Sequence, residues 1–296
     1  MGEVFGIDVS HYQGRIDWEQ VAKAQKKFAI MKCQYEAQSH RKDETFDYNY
    51  AEAGKQNIAR GVYIYIARHS MENPVADAEA LLKNLAGKKL EYGIWLDLED
   101  KTVEAKGKAY IRDLSFLYAD IFQKAGYFVG IYSNRDWYIR LIHNDLKEAF
   151  DFWHARYPRN DVGAYNPQSS LRPSDSIAVA WQYSSKGVVP GINAKCDLDV
   201  DFDGVVNLIA SGKPIKQRNP YTLLSTLMKE GARGESVKWL QWELNEAGAN
   251  LKIDGSFGSK TKNAVMWYQG GHNLLVDGIV GKKTIAALKG DRIVRH

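Results

Sequence analysis

Asp97 and Glu99 stand two residues apart at the end of an otherwise apolar run, Tyr92-Gly-Ile-Trp-Leu-Asp-Leu-Glu99. In an extended strand that spacing puts both carboxylates on one face. Two acids this close disfavour joint ionisation, so one keeps its proton near neutral pH while the other stays charged. A glycosidase needs that division, with an acid for the glycosidic oxygen and a carboxylate to support the anomeric centre. Strand ends are also wet, and an Asp-x-Glu pair alone describes two solvated side chains equally well. The company the pair keeps favours chemistry, because Asp8 and Asp197 end or begin apolar runs at the two extremes of the same region.

These acids need a scaffold, and the first 208 residues supply a repeating one. Short runs rich in β-branched and aromatic residues, Val4–Val9, Phe28–Gln34, Gly61–Ala67, Tyr92–Glu99, Phe128–Ser133, Asp151–Arg156, Ile177–Tyr183 and Cys196–Phe202, read as strands. Between them Trp18–Lys27, Glu44–Ala59, Pro74–Ala86, Ala109–Lys124 and Arg135–Leu141 carry apolar residues at helical spacing. Strand followed by helix, repeated, predicts a parallel sheet, and strands this apolar predict a closed (β/α)8-type barrel, irregular because its later half is poor in helix. Such barrels place chemistry at the carboxyl ends of their strands. There the sequence offers Asp8 with Ser10 and His11, Tyr63 and Tyr65, Asp97 and Glu99, Tyr132 with Asn134, Trp153 with His154, Trp181-Gln182-Tyr183, and Asp197 with Asp199. Carboxylates among aromatic rings suit a sugar chain, since ring faces stack on pyranoses.

Other chemistries lack their patterns. Asp199-x-Asp201-x-Asp203-Gly204 opens like a calcium loop, but its twelfth position is Ala210 where a bidentate Glu is required, so no metal is expected. There is no Gly-x-Ser-x-Gly elbow, phosphate loop or His-Glu-x-x-His helix. Cys33 and Cys196 are too few for a disulfide framework and read as reduced core residues. Mean hydropathy is −0.43, and no apolar run is long enough to cross a bilayer.

Gly6-Ile-Asp-Val-Ser-His-Tyr-Gln-Gly14, Trp95-Leu-Asp-Leu-Glu99, Ala180-Trp-Gln-Tyr-Ser-Ser185 and Val189-Pro-Gly-Ile192 followed by Asp197-Leu198 resemble the signature blocks of glycoside hydrolase family 25. These are lysozymes that cut peptidoglycan between N-acetylmuramic acid and N-acetylglucosamine. The resemblance implies an irregular β/α barrel, retaining β-1,4-N-acetylmuramidase activity and no cofactor. It makes Glu99 the general acid/base, Asp97 the partner that orients the substrate acetamido group, and Asp8 and Asp197 the completion of the acidic site. Tyr63, Tyr65, Trp153, Trp181 and Tyr183 take positions similar to the sugar-contacting aromatics, with Tyr132 and Gln182 joining them as strand-end candidates. Ile64 stands where many relatives carry His, and Asp199 where Asn is frequent. Chitinase barrels that also end a strand in Asp-x-Glu carry further aspartates upstream, where this chain has Gly93, Ile94 and Trp95.

The remainder is different in kind. Ser211-Gly-Lys-Pro-Ile-Lys-Gln-Arg-Asn-Pro220 has no apolar period, and a linker is expected over 209–221. Beyond it Asp254-Gly-Ser-Phe-Gly-Ser-Lys-Thr261 and Asp277-Gly-Ile-Val-Gly-Lys-Lys-Thr284 repeat the pattern Asp-Gly-x-x-Gly-x-x-Thr. Each repeat leads into a helical stretch, and with Ser236–Ala247 they predict a three-helix domain over 222–296, whose core is expected to include Val237, Leu240, Trp267 and Leu288. This half resembles the peptidoglycan-binding type 1 domain. From Gly212 onward there are 14 Lys/Arg against 7 Asp/Glu, so the overall +4 averages an acidic body and a basic tail.

The expected partner is bacterial peptidoglycan, with anionic wall polymers drawn to the tail. Neither nucleic acid nor membrane insertion is expected, as no motif for either accompanies the charge. No charged segment followed by an apolar stretch opens the chain at Met1, which with the resemblance points to an endolysin released to the wall from the host cytoplasm, or an autolysin exported by another route. A non-catalytic glycan-binding barrel is the alternative, and the intact Asp97 and Glu99 argue against it.

Overall fold

The β-branched and aromatic runs form strands and the amphipathic stretches form helices in a computed structural model that describes residues 3–35, 40–174, 177–202, 205, 219, 221, 223–225 and 227–294, without side chains at 246 and 289–294. The chain divides into two units, 1–215 and 216–296.

In the first unit β1 (Val4–Val9), β2 (Phe28–Lys32), β3 (Ala59–Tyr65), β4 (Gly93–Asp97), β5 (Val129–Asn134), β6 (Phe152–Ala155), β7 (Ala180–Gly187) and β8 (Cys196–Asp201) pair in chain order into a closed barrel. Helices follow the strands: α1 (Trp18–Lys23) after β1, α2 (Phe46–Lys55) after β2, α3 (Arg68–Glu72) and α4 (Pro74–Asn84) after β3, α5 (Lys101–Glu104) and α6 (Lys108–Lys124) after β4, and α7 (Arg135–Arg140) and α8 (Asn144–Ala149) after β5. The expectation of parallel pairing holds from β1 to β7 and fails at β8, which runs antiparallel to both β7 and β1. The reason is the connection. Residues 188–195 hold no helix, and a short link can only return the chain antiparallel. The first residues of β8 therefore lie at the barrel end where the other strands finish, with Asp197 directly across from Asp8.

Alternation along the strands sorts two apolar layers. Ile7, Val62, Ile94, Leu96, Ile131 and Val200 point outward under the helices, whereas Phe28, Ile30, Trp95, Tyr132, Trp153 and Ala180 fill the barrel. Trp95 is fully buried and occupies space that only a glycine at position 130 leaves open, since a Cβ there would sit 2.3 Å from its ring. This aromatic filling makes the barrel a packed body and not a pore.

The second unit contains α9 (Glu235–Glu246), α10 (Ser259–Gly271) and α11 (Lys282–Val294) around Val237, Leu240, Leu244, Phe257, Val265, Tyr268 and Leu288. The expected linker 209–221 falls outside the described residues except Asn219 and Tyr221, and these two belong to the helical unit. Asn219 is buried and donates to the carbonyl of Trp239 at 2.6 Å, and Tyr221 packs on the core. Trp267 also departs from expectation. It is 55% exposed, because α10 turns Thr261, Val265, Tyr268 and Gln269 inward and leaves position 267 between them.

The repeated turns have a shared mechanism. Gln241 on α9 accepts from the backbone N–H groups of Asp254 and Gly255 and donates to Asp254 Oδ1, the Ser256 carbonyl and Thr261. Gln269 on α10 does the same with Asp277, Gly278, Ile279 and Thr284. Each glutamine is 1% exposed, so its amide satisfies a turn that water cannot reach. Gly255 and Gly278 have φ of 72° and 69°, a region that excludes most side chains and explains the invariant second residue of both repeats.

Replacing Gln269 by Leu keeps the volume but strands the Asp277 and Gly278 N–H groups, at a cost of about 3 kcal/mol. Native-state hydrogen exchange is expected to show α9 and α10 amides deprotected by that amount while barrel amides keep their protection. Unchanged exchange in α9 and α10 would refute the role assigned to the glutamines.

Candidate active site

The barrel mouth gathers the four carboxylates expected to act together. Asp97 is the last residue of β4, paired in register with Tyr65 of β3 and Tyr132 of β5. Glu99 lies just past the regular strand, which ends at Asp97 rather than continuing as expected, and the intervening Leu98 is still tied to the Tyr132 carbonyl at 3.0 Å. That tether preserves the two-residue period, so both acids face the same neighbours. The negative charge of both reaches the Tyr65 and Tyr132 phenols, whose ionisation is pushed upward mainly by burial and then by these acids and their neighbours. Asp97 is 6% exposed, whereas Glu99 stands open to solvent on one side.

Asp8 and Asp197 face each other across the β1–β8 seam and hydrogen-bond together. Two carboxylates can do so only by sharing a proton. Burial, then the charges of Asp197 and Asp199, raise Asp8 well above the usual carboxylate range, and burial pushes Asp197 up to about 6. Asp8 is therefore the protonated member. Gln182 holds it in place, donating to Asp8 Oδ2 at 2.7 Å and accepting from the Tyr132 hydroxyl at 3.0 Å. Glu99 feels this pair. Partial enclosure raises its carboxyl first, and the charges of Asp197 and Asp100 raise it further.

Beneath the mouth Trp153 Nε1 donates to Asp199 Oδ1 at 2.9 Å, and the other oxygen of this fully buried carboxylate has no hydrogen-bond partner. Burial, then Asp197, hold Asp199 well above the usual range, so it is neutral. The alternating aspartates of β8 thus run from the mouth into the barrel instead of facing solvent, and Asp203 lies outside the described residues. No metal-ligand cluster is found among the described residues.

The aromatic candidates separate by position. Tyr63 and Tyr65 are half-buried, Tyr65 ending β3 at the mouth and Tyr63 two residues before it. Tyr132, Trp153 and Gln182 are 7%, 2% and 4% exposed, so they support the acids from below and do not present a surface to substrate. Trp181 and Tyr183 are corrections. With Gln182 pointing inward, period two turns both outward, where they pack against Tyr165, and the Trp181 indole donates to the Arg156 carbonyl at 2.7 Å. His154 points outward too, against Tyr138, and burial followed by Arg156 and Arg135 lowers its imidazole to about 4. Ser10 and Asn134 are caps for the turns that follow their strands, and His11 binds Asp43 at 2.9 Å. Both cysteines are buried, and burial pushes the Cys196 thiol to about 12, which leaves it unreactive.

Three residues join the site that strand-end reading did not reach. Tyr157, 42% exposed, follows β6 and is influenced by Asp197, Glu99 and Asp8. Asp161 anchors the β7 end through Ser184 Oγ and the Ser185 N–H, each at 2.7 Å, and adds its charge to the raising of Asp197. Asp100 accepts from the Tyr65 hydroxyl at 3.3 Å. Tyr157 and Asp161 lie in a loop without periodicity. Tyr157 is two residues past the end of β6, so extending the search one turn beyond each strand would have found it.

Comparison with known proteins agrees with this arrangement. Residues 7–192 match the family model for glycosyl hydrolases family 25, and residues 233–288 match the peptidoglycan binding domain model. Lysozyme M1 of Streptomyces globisporus is 29% identical over 221 residues, covering 70% of each chain. An autolytic lysozyme of Clostridium acetobutylicum is 25% identical over 266 residues, 89% of this chain and 72% of its own. Among solved structures, the CTP1L endolysin superposes with a TM-score of 0.57 at 21% identity over 71% of this chain and 70% of its own. The Clostridium perfringens spore cortex lytic enzyme SleM also gives 0.57, at 18% identity over 67% of each chain. At those identities the two structures speak for the fold. With a family match that spans most of the barrel and the acidic mouth in place, the chain belongs to glycosyl hydrolases family 25.

Proposed function

We propose that the barrel hydrolyses the β-1,4 bond between N-acetylmuramic acid and N-acetylglucosamine in bacterial peptidoglycan, with Glu99 as the general acid/base. The observation that carries this reading is the placement of Glu99, with its carboxyl raised toward neutrality, at an open mouth beside the buried Asp97 and the proton-sharing Asp8–Asp197 pair. Tyr63, Tyr65 and Tyr157 offer partly exposed rings for the sugars.

In the proposed sequence Glu99 donates its proton to the glycosidic oxygen as the bond to the anomeric carbon breaks. Asp97 orients the substrate acetamido group, whose carbonyl oxygen closes on that carbon from the opposite face. Glu99, now a carboxylate, removes a proton from water, and the water oxygen opens the ring with net retention. The Asp8–Asp197 pair acts at one remove: its charge discourages Glu99 from ionising early. The similarity of the chain to lysozymes that carry the word in their names supports the substrate assignment. The basic helical unit, matched to a peptidoglycan binding domain, is proposed to hold the enzyme on the wall and raise its local concentration.

Mass spectrometry of digested walls is expected to show reducing-end muramic acid, and reducing-end glucosamine or freed peptides would overturn the assignment. Glu99→Gln is expected to lower kcat by about 10³-fold or more with the fold and wall binding intact. Asp197→Asn removes a negative charge facing Glu99. The ionised form of Glu99 is then favoured, its pKa falls, and the alkaline limb of the kcat/KM profile moves to lower pH; a limb that stays in place would show that Asp197 does not act on Glu99. Co-sedimentation of the whole chain with purified walls is expected to weaken as salt rises from about 0.05 to 0.5 M, since screening shortens the reach of the basic unit.

A further inference from the structure

Next to the catalytic mouth lies a groove of about 560 Å³ between α3 and α5, with Arg68, Glu72, Lys101 and Lys106 at its rim and Met71 and Tyr110 half-buried in its wall. Its walls continue the two segments that carry the site. Arg68 begins α3 three residues after Tyr65, and the Ile66 N–H between them donates to the Asp97 carbonyl at 3.0 Å. Lys101 begins α5 two residues after Glu99, and Asp100 between them caps α5 through the Thr102 N–H at 2.8 Å while accepting from Tyr65. The groove thus opens beside the strand ends that carry Asp97 and Glu99.

The groove is positive on an acidic body. Arg68 is engaged by Glu72 at 3.1 Å, but no ion pair is found for Lys101 or Lys106 among the described residues. Several lysines elsewhere on the barrel unit, Lys27, Lys83 and Lys89 among them, have no ion pair among the described residues either, so what marks the groove is that two such cations share its rim. Two cations held beside a thioether and a phenol ring suit a ligand that alternates carboxylates with small apolar side chains.

We infer that this groove binds the acidic peptide borne by the muramic acid residue at the cleavage site, so that Lys101 and Lys106 favour peptide-bearing glycan strands over bare ones. The lactyl oxygen that carries the peptide projects sideways from the sugar, and a groove beside the cleft is where such a branch must go. This inference rests on the muramidase reading.

The test compares soluble glycan strands that keep their peptides with strands stripped by an amidase, using the whole chain and the Lys101→Ala/Lys106→Ala double variant. The ratio of kcat/KM for peptide-bearing over bare strands is expected to fall about five-fold in the variant, the size of two exposed charge contacts. An unchanged ratio overturns the inference, as does a fall seen only when anionic wall polymer is left on the strands. A titration without turnover separates the two readings. A disaccharide–peptide is expected to bind the intact chain about five-fold tighter than the bare disaccharide and to lose that advantage in the variant. Equal affinity for the two ligands refutes the groove even if the barrel cuts walls, and preferential binding without cleavage of either strand leaves the groove standing while the hydrolase reading falls.

Discussion

The proton shared by Asp8 and Asp197 is the constraint from which the site is built. Barrel closure sets β8 against β1 in a register that leaves these carboxyls opposite each other, and burial makes two charges there untenable. One proton must stay. Its presence fixes the orientation of Gln182, which in turn takes the Tyr132 hydroxyl, so the side of the mouth facing Asp97 is ordered by hydrogen bonds that begin at the seam. A fully parallel barrel would not bring the first residues of its last strand to this end. The antiparallel direction of β8 therefore shapes the acidic mouth as well as the topology.

Most of the scaffold was legible in the sequence. Barrel strands buried on both faces read as nearly continuous apolar runs, and each of the expected runs holds a strand, because the pattern reports burial and burial is what the barrel imposes. The four carboxylates were legible as well, since a charged residue that ends an apolar run is conspicuous. The direction of β8 was harder, although the missing helix before Cys196 was a usable sign. Side-chain facing was where motif reading misled. Trp181-Gln182-Tyr183 resembles one sugar-contacting block, yet three consecutive strand residues cannot share a face, and the inward turn of Gln182 sends both rings away from the cleft. Tyr157 and Asp161 escaped for a different reason: loops carry no period, and only the fold brings them to the acids.

In the helical unit the Asp-Gly repeats were visible while their cause was not. Nothing in the spacing singles out Gln241 or Gln269, because a glutamine on a helix usually faces water. Here each is turned inward to close a loop whose backbone would otherwise lack partners, and the same set of five hydrogen bonds occurs twice. The duplication thus consists of a helix residue together with the turn that follows it, a larger unit than the eight-residue pattern alone. The exposure of Trp267 has the same origin, since the buried stripe of α10 is set by Tyr268 and Gln269, one and two positions away.

Stability and catalysis make parallel demands on the interior acids. Asp8, Asp197 and Asp199 all have carboxyls raised above their unfolded values, with Asp197 at about 6. Groups of that kind support the fold fully below the ordinary carboxylate range and withdraw that support as pH climbs through their folded values. In the proposed reaction Glu99 starts protonated, and burial together with the charges of Asp197 and Asp100 favours that form. Both the stability contributed by the interior acids and the protonated form of Glu99 are therefore lost on the alkaline side. The barrel tolerates buried neutral aspartates because Trp153 and Gln182 supply donors that direct their oxygens, while Glu99 keeps the open edge of the mouth.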